Sequence, residues 1–417
     1  MTVAAPRRDR LAGLDGLRAL AAIAVLSYHV AEWSAYGFAG RFASVLWELK
    51  GGVAVFFVIS GTVLYLPYAR AIRDQAPLPD WRTYARRRVV RIIPAYWLAL
   101  TVFAVGPFSA GVFGAGMWRY YGLSQIYSSD TLLSGLGGAW SLCVEVSFYA
   151  LLPVLALAAA RLARRAGPDL APRVQLALIV PTAAVSIAVR GVVAGSLVAA
   201  PHGHGLGLTV ALPGFLDWFA IGMGLAVFAA ACEAGRAGGR PLALMARHPG
   251  ACVLIGMLAF AAGIPAEGGD MFLPWYGLWT HVALGAGSGL LVLAAIAPRP
   301  KRGPGWYGRL LRGRVLTWLG TISYGIYLWN RVVLQLIHRH PEPRDLPGTL
   351  LIWLVVIGGT IVLGAASWYL LERPLQRALR AGENRARGGG RSPEIDGGVQ
   401  TLTDRLNPSG VAVDHLA

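Results

Sequence analysis

The sequence predicts an all-α fold: a polytopic integral membrane helix bundle of about ten transmembrane helices with both termini cytoplasmic. Three observations predict it. Of the 417 residues, 55% are hydrophobic and only 14% charged, far from the soluble balance of about half apolar and a quarter charged. The apolar residues fall in runs long enough to cross a hydrocarbon core of roughly 30 Å. The basic residues alternate, segment by segment, between connections rich in them and connections nearly without them.

The runs follow in order. Residues 14–33 open the series; Arg18 and His29 interrupt them and no small-residue cleavage site follows, so the segment reads as a retained helix, not a removed signal peptide. Residues 51–70 and 92–109 flank a basic stretch, and 140–160, 174–194 and 212–232 come next. Residues 251–265, interrupted by Gly256 and Gly263 and stopped by Pro265, are expected to be short or tilted. Residues 277–297, 315–337 and 349–371 complete the ten. The longest outer connection, 110–139, is rich in Gly, Tyr and Ser and suited to folding back over the membrane surface. The domain reading is a cytoplasmic N-terminus (1–13), a membrane domain (14–376) and a disordered cytoplasmic tail (377–417) too poor in apolar residues to build a core.

The net charge of +17 from 38 Lys and Arg would mark a soluble chain as a nucleic-acid binder. With the N-terminus inside, 30 of them lie in inner segments: from Arg7 to Arg10, Arg70 to Arg91, Arg161 to Arg173, Arg236 to Arg247, Arg299 to Arg314, and from Arg373 onward. Only Arg41, Lys50, Arg119, Arg339 and Arg344 fall outside, and Arg18, Arg190 and Arg331 lie within helices. That division obeys the positive-inside rule in every connection, so the charge reads as topology and no nucleic-acid partner is needed. Cys143, Cys232 and Cys252 sit in apolar segments without metal-ligand spacing, and the eight histidines, His202 and His204 included, form no recognisable ligand set. Neither a metal nor a permanently bound cofactor is expected.

Ionisable groups inside hydrocarbon cost about 2.5–3.5 kcal/mol each on insertion scales, which makes each a functional candidate. The first run contains Asp15, Arg18 and His29. At 3.6 residues per turn, the step from Arg18 to His29 returns to within about 20° of one face, roughly 16 Å along the axis. The two therefore suit different parts of one long ligand. The topology puts Glu145, Asp217, His281, Asn330 and Arg331 in the outer part of the bundle with His29. A carboxylate beside an imidazole fixes its tautomer and stabilises its protonated form, as a general base acting on a hydroxyl requires; Glu145 is the expected partner. Plainer readings stand beside these: His29 as an interhelical hydrogen bond, Glu145 as an ion pair with Arg331, Ser60 as a packing residue. The run Arg86-Arg-Arg-Val-Val-Arg91 reads as topology signal or as a phosphate clamp of paired guanidinium groups.

Six segments resemble a known family. Arg18 followed by ten residues and His29, Phe56-Phe-Val-Ile-Ser-Gly61, Arg87-Arg-Val-Val-Arg-Ile-Ile-Pro-Ala-Tyr96, Trp140-Ser-Leu-Cys-Val-Glu-Val-Ser-Phe-Tyr149, Leu319-Gly-Thr-Ile-Ser-Tyr-Gly-Ile-Tyr-Leu-Trp329 and Glu372-Arg-Pro374 are similar, in this order, to membrane acyltransferases of family 3. Each motif alone is weak; the six in order over residues 10–376 are specific. The resemblance implies a multi-pass plasma-membrane enzyme that O-acylates a glycan, a lipid-linked sugar or a secreted small molecule such as a macrolide. It implies acyl-CoA, acetyl-CoA above all, as co-substrate. On that resemblance Arg88 and Arg91 match the family's Arg-x-x-Arg pair and, with Arg18 and Ser60, hold the donor; His29 is catalytic with Glu145; and Trp140, Ser141, Asp217, His281, Asn330 and Arg331 face the acceptor. Two departures stand out: Asn330 where the family often has His, and Thr62 where Phe is common. Some relatives append a soluble hydrolase-like domain; none follows here, so the membrane domain is expected to complete the transfer. His29 then acts as a general base or carries a covalent acyl-imidazole. The competing class is a proton-coupled transporter of a sugar or small molecule, against which stands the absence of an inverted repeat; a scaffold is a third reading.

Overall fold

The computed structural model describes residues 7–33, 43–106, 111–128, 130–132, 134–199, 206–235, 240–263, 274–297, 305–337 and 345–388. Among them every regular element is helical. The principal ones are α1 (Arg7–Trp33), α2 (Gly52–Arg73), α3 (Trp81–Val105), α4 (Trp140–Ala166), α5 (Ala171–Ala199), α6 (Leu216–Glu233), α7 (Pro249–Ala262), α8 (Pro274–Ile296), α9 (Arg314–Thr321), α10 (Ser323–Ile337), α11 (Leu346–Ser367) and α12 (Arg373–Gly388). A helix forms in each of the ten apolar runs. Among the described residues, eight segments are long and apolar enough to cross a membrane. The other two depart from the expectation of ten uninterrupted spans: α7 is only 14 residues long, and the ninth run is broken at Ile322 into α9 and α10. The break has a packing cause. A Cβ on Gly320 would overlap the carbonyl of Asp15 in α1, and the hydroxyl of Ser323 turns back to the Gly320 carbonyl at 2.8 Å.

Helix starts follow the sequence. Asp80 caps α3, accepting from the backbone N–H and the hydroxyl of Thr83 at 2.8 and 2.7 Å, and Asp345 caps α11 by accepting from the Gly348 N–H at 2.9 Å. Pro374 has no N–H to offer the preceding turn. A π turn over Trp368–Glu372 links α11 to α12 just before it, and the wider turn is one way a helix accommodates a missing donor.

The centre of the bundle is the pair α2 and α6. In the apolar stretches of Val45–Arg73 and Leu212–Glu233, 78% and 83% of residues are buried, against 22% for Ala171–Ala194. Two glycines let the pair close. A Cβ on Gly61 would collide with the Phe219 carbonyl, and one on Gly222 with the Val58 carbonyl, so the backbones approach as small residues permit in membrane helices. At one end the pair is tied by Arg70, which donates two hydrogen bonds of 2.7 Å to Glu233. The connection after α3 does fold back: the Tyr96 hydroxyl donates to the Tyr120 carbonyl at 2.6 Å and the Trp97 indole to the Tyr121 carbonyl at 2.9 Å.

Met1–Gln376 and Arg377–Ala417 are separate units. The expectation of disorder from residue 377 is corrected in part, because α12 runs to Gly388. Its Arg, Ala, Leu, Gln and Glu are strong helix formers, and the helix is already nucleated when it reaches them. Residues 389–417 lie outside the described residues.

Candidate active site

One cleft opens inside the first unit, with about 740 Å³ of atom-free space counted to its open mouth. Four helices besides α1 build it, and residue order along them gives it two chemically different ends. Arg88 and Arg91 of α3, Tyr149 of α4, Leu64 of α2 and Ser323 of α10 line one end together with Arg18 of α1. Val53, Phe56 and Phe57 at the start of α2, Ser141 and Leu142 at the start of α4 and Tyr327 of α10 line the other. Three guanidinium groups thus face one cleft. The buried Nε of Arg88 has no hydrogen-bond partner, and Arg18 lies 3.7 Å from Asp15. A buried guanidinium N–H left unpaired favours an anionic ligand. The four residues expected to hold the donor, Arg18, Arg88, Arg91 and Ser60, all lie here.

Glu145 sits in the same cleft between the two ends. It accepts from the Ser60 hydroxyl at 2.8 Å and from the Tyr149 hydroxyl at 2.9 Å, within electrostatic range of Arg18 and Arg88. Its expected pairing with His29 is therefore corrected, as is the alternative ion pair with Arg331. Glu145 lies more than a turn inside α4, whereas His29 is four residues from the end of α1. The carboxylate beside His29 is Glu32, one turn on: His29 Nδ1 lies 3.2 Å from Glu32 Oε2. A carboxylate only accepts, so the contact puts the proton on Nδ1 and leaves the Nε2 lone pair available. The Tyr28 hydroxyl adds a 3.3 Å bond to Glu32, and Arg331 approaches the same carboxylate at 3.8 Å.

His29 does not line the cleft; its cluster adjoins the apolar end through Arg331 and Tyr327. A Cβ on Gly137 would lie 2.9 Å from the Arg331 guanidinium. The next residue, Gly138, accepts from the Tyr327 hydroxyl, which also lies 2.5 Å from the Ser141 hydroxyl. Asn330 turns inward on its own helix, donating to the Tyr327 carbonyl at 2.6 Å. Trp140 packs on Phe215 with ring centroids 5.3 Å apart and is not among the lining residues.

Asp217 and His281, expected to face the acceptor, are not among the residues that line the cleft. They form a separate buried cluster: His281 Nε2 lies 2.8 and 2.9 Å from the two Asp217 oxygens, and Ser186 donates to Asp217 at 2.8 Å. The His281 ring stacks on Trp218 at 4.3 Å. Arg190 completes the cluster, donating to the carbonyls of Gly214 and Thr209 at 2.7 and 3.2 Å. Sequence reasoning missed Glu32, Tyr149 and Tyr327. The first two stand three residues after His29 and four after Glu145, the spacings that share a helix face; Tyr327 comes from a distant helix and carries no local signal. His202 and His204 lie outside the described residues.

Fold and cleft together define a multi-pass membrane protein with a polar, cationic interior site. The chain belongs to the family described as Acyltransferase domain, whose profile matches residues 11–369. It is 25% identical over 389 residues to the Bacillus subtilis (strain 168) protein named "Putative peptidoglycan O-acetyltransferase YrhL", covering 87% of this chain and 54% of that one. It is 27% identical over 351 residues to "Exopolysaccharide production protein ExoZ" of Rhizobium meliloti (strain 1021), covering 82% and 94%. With "O-acetyltransferase OatA" of Staphylococcus aureus (strain NCTC 8325 / PS 47) it shares 30% identity over 161 residues, 35% of this chain and 24% of the relative. The chain thus spans about half the length of the first of these and about a quarter of the last. No solved structure matches it.

Proposed function

We propose that this protein is a membrane O-acyltransferase that moves an acetyl group from acetyl-CoA, bound from the cytoplasmic side, to a hydroxyl of an extracytoplasmic glycan. The observation that carries the reading is the cleft itself. Its three arginines, one with an orphaned Nε, offer phosphate ligands at one end, and its other end adjoins the His29–Glu32 pair. The arginine end belongs to the side of the bundle that the basic segments assign to the cytoplasm. Arg18 and His29 share α1 about 16 Å apart, a span for an extended thioester arm. The names of two relatives that match most of this chain, a peptidoglycan O-acetyltransferase and an exopolysaccharide production protein, favour a glycan over a macrolide as acceptor.

In this mechanism His29 Nε2 takes the acceptor's O–H proton as that oxygen attacks the thioester carbonyl. The C–S bond breaks, and the imidazolium returns the proton to the departing thiolate. Glu32 holds Nδ1–H throughout and stabilises the charged ring. Glu145, fixed by Ser60 and Tyr149, spaces the guanidinium groups around the donor's phosphates and takes no proton from the acceptor.

The test is transfer of label from radiolabelled acetyl-CoA in membranes carrying the wild-type chain or His29→Ala, with glycan, lipid and small-molecule fractions separated. Label in the glycan fraction that falls about 10²–10⁴-fold without the imidazole supports the reading. Label in the small-molecule fraction alone replaces the acceptor class, and no His29-dependent label in any fraction overturns the enzyme reading in favour of a carrier.

A further inference from the structure

The apolar end of the cleft has a wall that does not yield. Phe57 is 1% exposed and lines it. Behind Phe57 the rings stand in a file: Phe57 stacks on Phe219 at 4.7 Å and 19°, and Phe219 on Phe148 at 4.0 Å and 15°. Edge-on, Phe57 meets Phe215 at 5.4 Å. Phe215 is itself held, with the Arg190 guanidinium 4.7 Å from its ring while that guanidinium binds the carbonyls of Gly214 and Thr209, and with the His281 ring 5.7 Å away and bonded in turn to Asp217. Three helices, α2, α4 and α6, supply the file, and Gly61 and Gly222 bring α2 and α6 too close for the rings to slide between them. Phe56, by contrast, is half-buried and stands outside the file, its ring meeting Tyr327 at 6.3 Å.

We propose that Phe57, braced by Phe219 and Phe215, is the stop that limits the donor's acyl group to two carbons. The inference rests on the acyltransferase reading and adds to it a residue that sets donor length. A thioester whose phosphates lie at the arginine end carries its acyl carbons towards Val53, Phe57 and Leu142. There a methyl group fits against the ring face, while further methylenes would have to displace a ring with stacked rings behind it. Interiors packed to this density repack poorly around extra methylenes. The buried Arg190, Asp217 and His281 then have a use that needs no contact with substrate: they keep the brace in place.

The experiment compares label transferred from acetyl-CoA and from butanoyl-CoA, at equal concentration, in membranes carrying the full-length wild type, Phe57→Ala or Phe57→Leu. The readout is the acetyl-to-butanoyl ratio, which a general loss of folded protein does not change. Discrimination by an apolar pocket runs from about tenfold upward per methylene. The wild-type ratio is therefore expected to exceed about tenfold, to fall by about tenfold or more in Phe57→Ala, and to take a middle value in Phe57→Leu. A wild type that uses both donors equally, or a ratio left unchanged by Phe57→Ala, overturns the stop and leaves the acyltransferase reading standing. Transfer from neither donor by the wild type overturns that reading, and the stop with it.

Discussion

His29 and Glu32 are three residues apart on one helix, so their geometry is set by α1 alone and does not depend on how the bundle closes. Glu32→Gln keeps the shape but can present an amide hydrogen to Nδ1 and favour the wrong tautomer. It is expected to lower acyl transfer by a smaller factor than His29→Ala, with the loss in kcat and the donor KM little changed; equal activity would remove Glu32 from the mechanism. At the other end of the cleft, Arg88→Ala is expected to raise the KM for acetyl-CoA about tenfold or more, with Arg88→Lys only partly restoring it, since an ammonium cannot reproduce a planar fork. A KM unchanged by both would return the basic run to a topology signal. At this scale the sequence revealed the types of residue but not their pairing. The stripe from Arg18 to His29 followed from helical period, and Arg18, Arg88, Arg91 and Ser60 do share a cleft. The partner of His29 was misassigned because depth along two different helices cannot be compared until their ends are aligned in space. That Asp217 and His281 pair with each other was not legible, because they come from different helices.

Among the elements, the α2–α6 pair is open to disruption by single substitutions at its glycines. Gly222→Leu puts a side chain where the Val58 carbonyl already lies, and overpacking of this kind costs about 1–3 kcal/mol. The expected result is a lower midpoint in thermal unfolding of the detergent-purified protein, and a midpoint equal to the wild type's would mean that the helices separate easily. Gly224→Leu, on the same helix but with nothing near its Cβ position, is the control and is expected to cost much less. The number and order of helices were open to sequence reasoning because hydrocarbon thickness imposes a length on each span. The break at Ile322 was not, because its cause is the approach of Gly320 to Asp15, some three hundred positions earlier in the chain.

For the molecule as a whole, the distribution of arginines predicts which end faces inward, and this is directly testable. In a chain lacking Cys143, Cys232 and Cys252, Pro77→Cys is expected to react with a membrane-impermeant maleimide only after the cells are opened, and Ala115→Cys in intact cells. The reverse pattern would invert the topology and with it the side from which the donor is read. One last consequence concerns the π turn at Trp368–Glu372. The Ser367 hydroxyl reaches Glu372 at 3.0 Å across five positions, a spacing that an ordinary α-helix turns away from itself and a π turn brings together. The turn therefore behaves as one surplus residue, and its length is tied to the proline that follows. A relative with one residue fewer between its equivalents of Ser367 and Glu372 can keep the same pair at the α-helical spacing of four. In such a relative the position of Pro374 no longer has a wide turn ahead of it, and a residue with a backbone N–H is expected there. A one-residue gap at this point of an alignment would thus record a change of helical phase, with the proline as its marker.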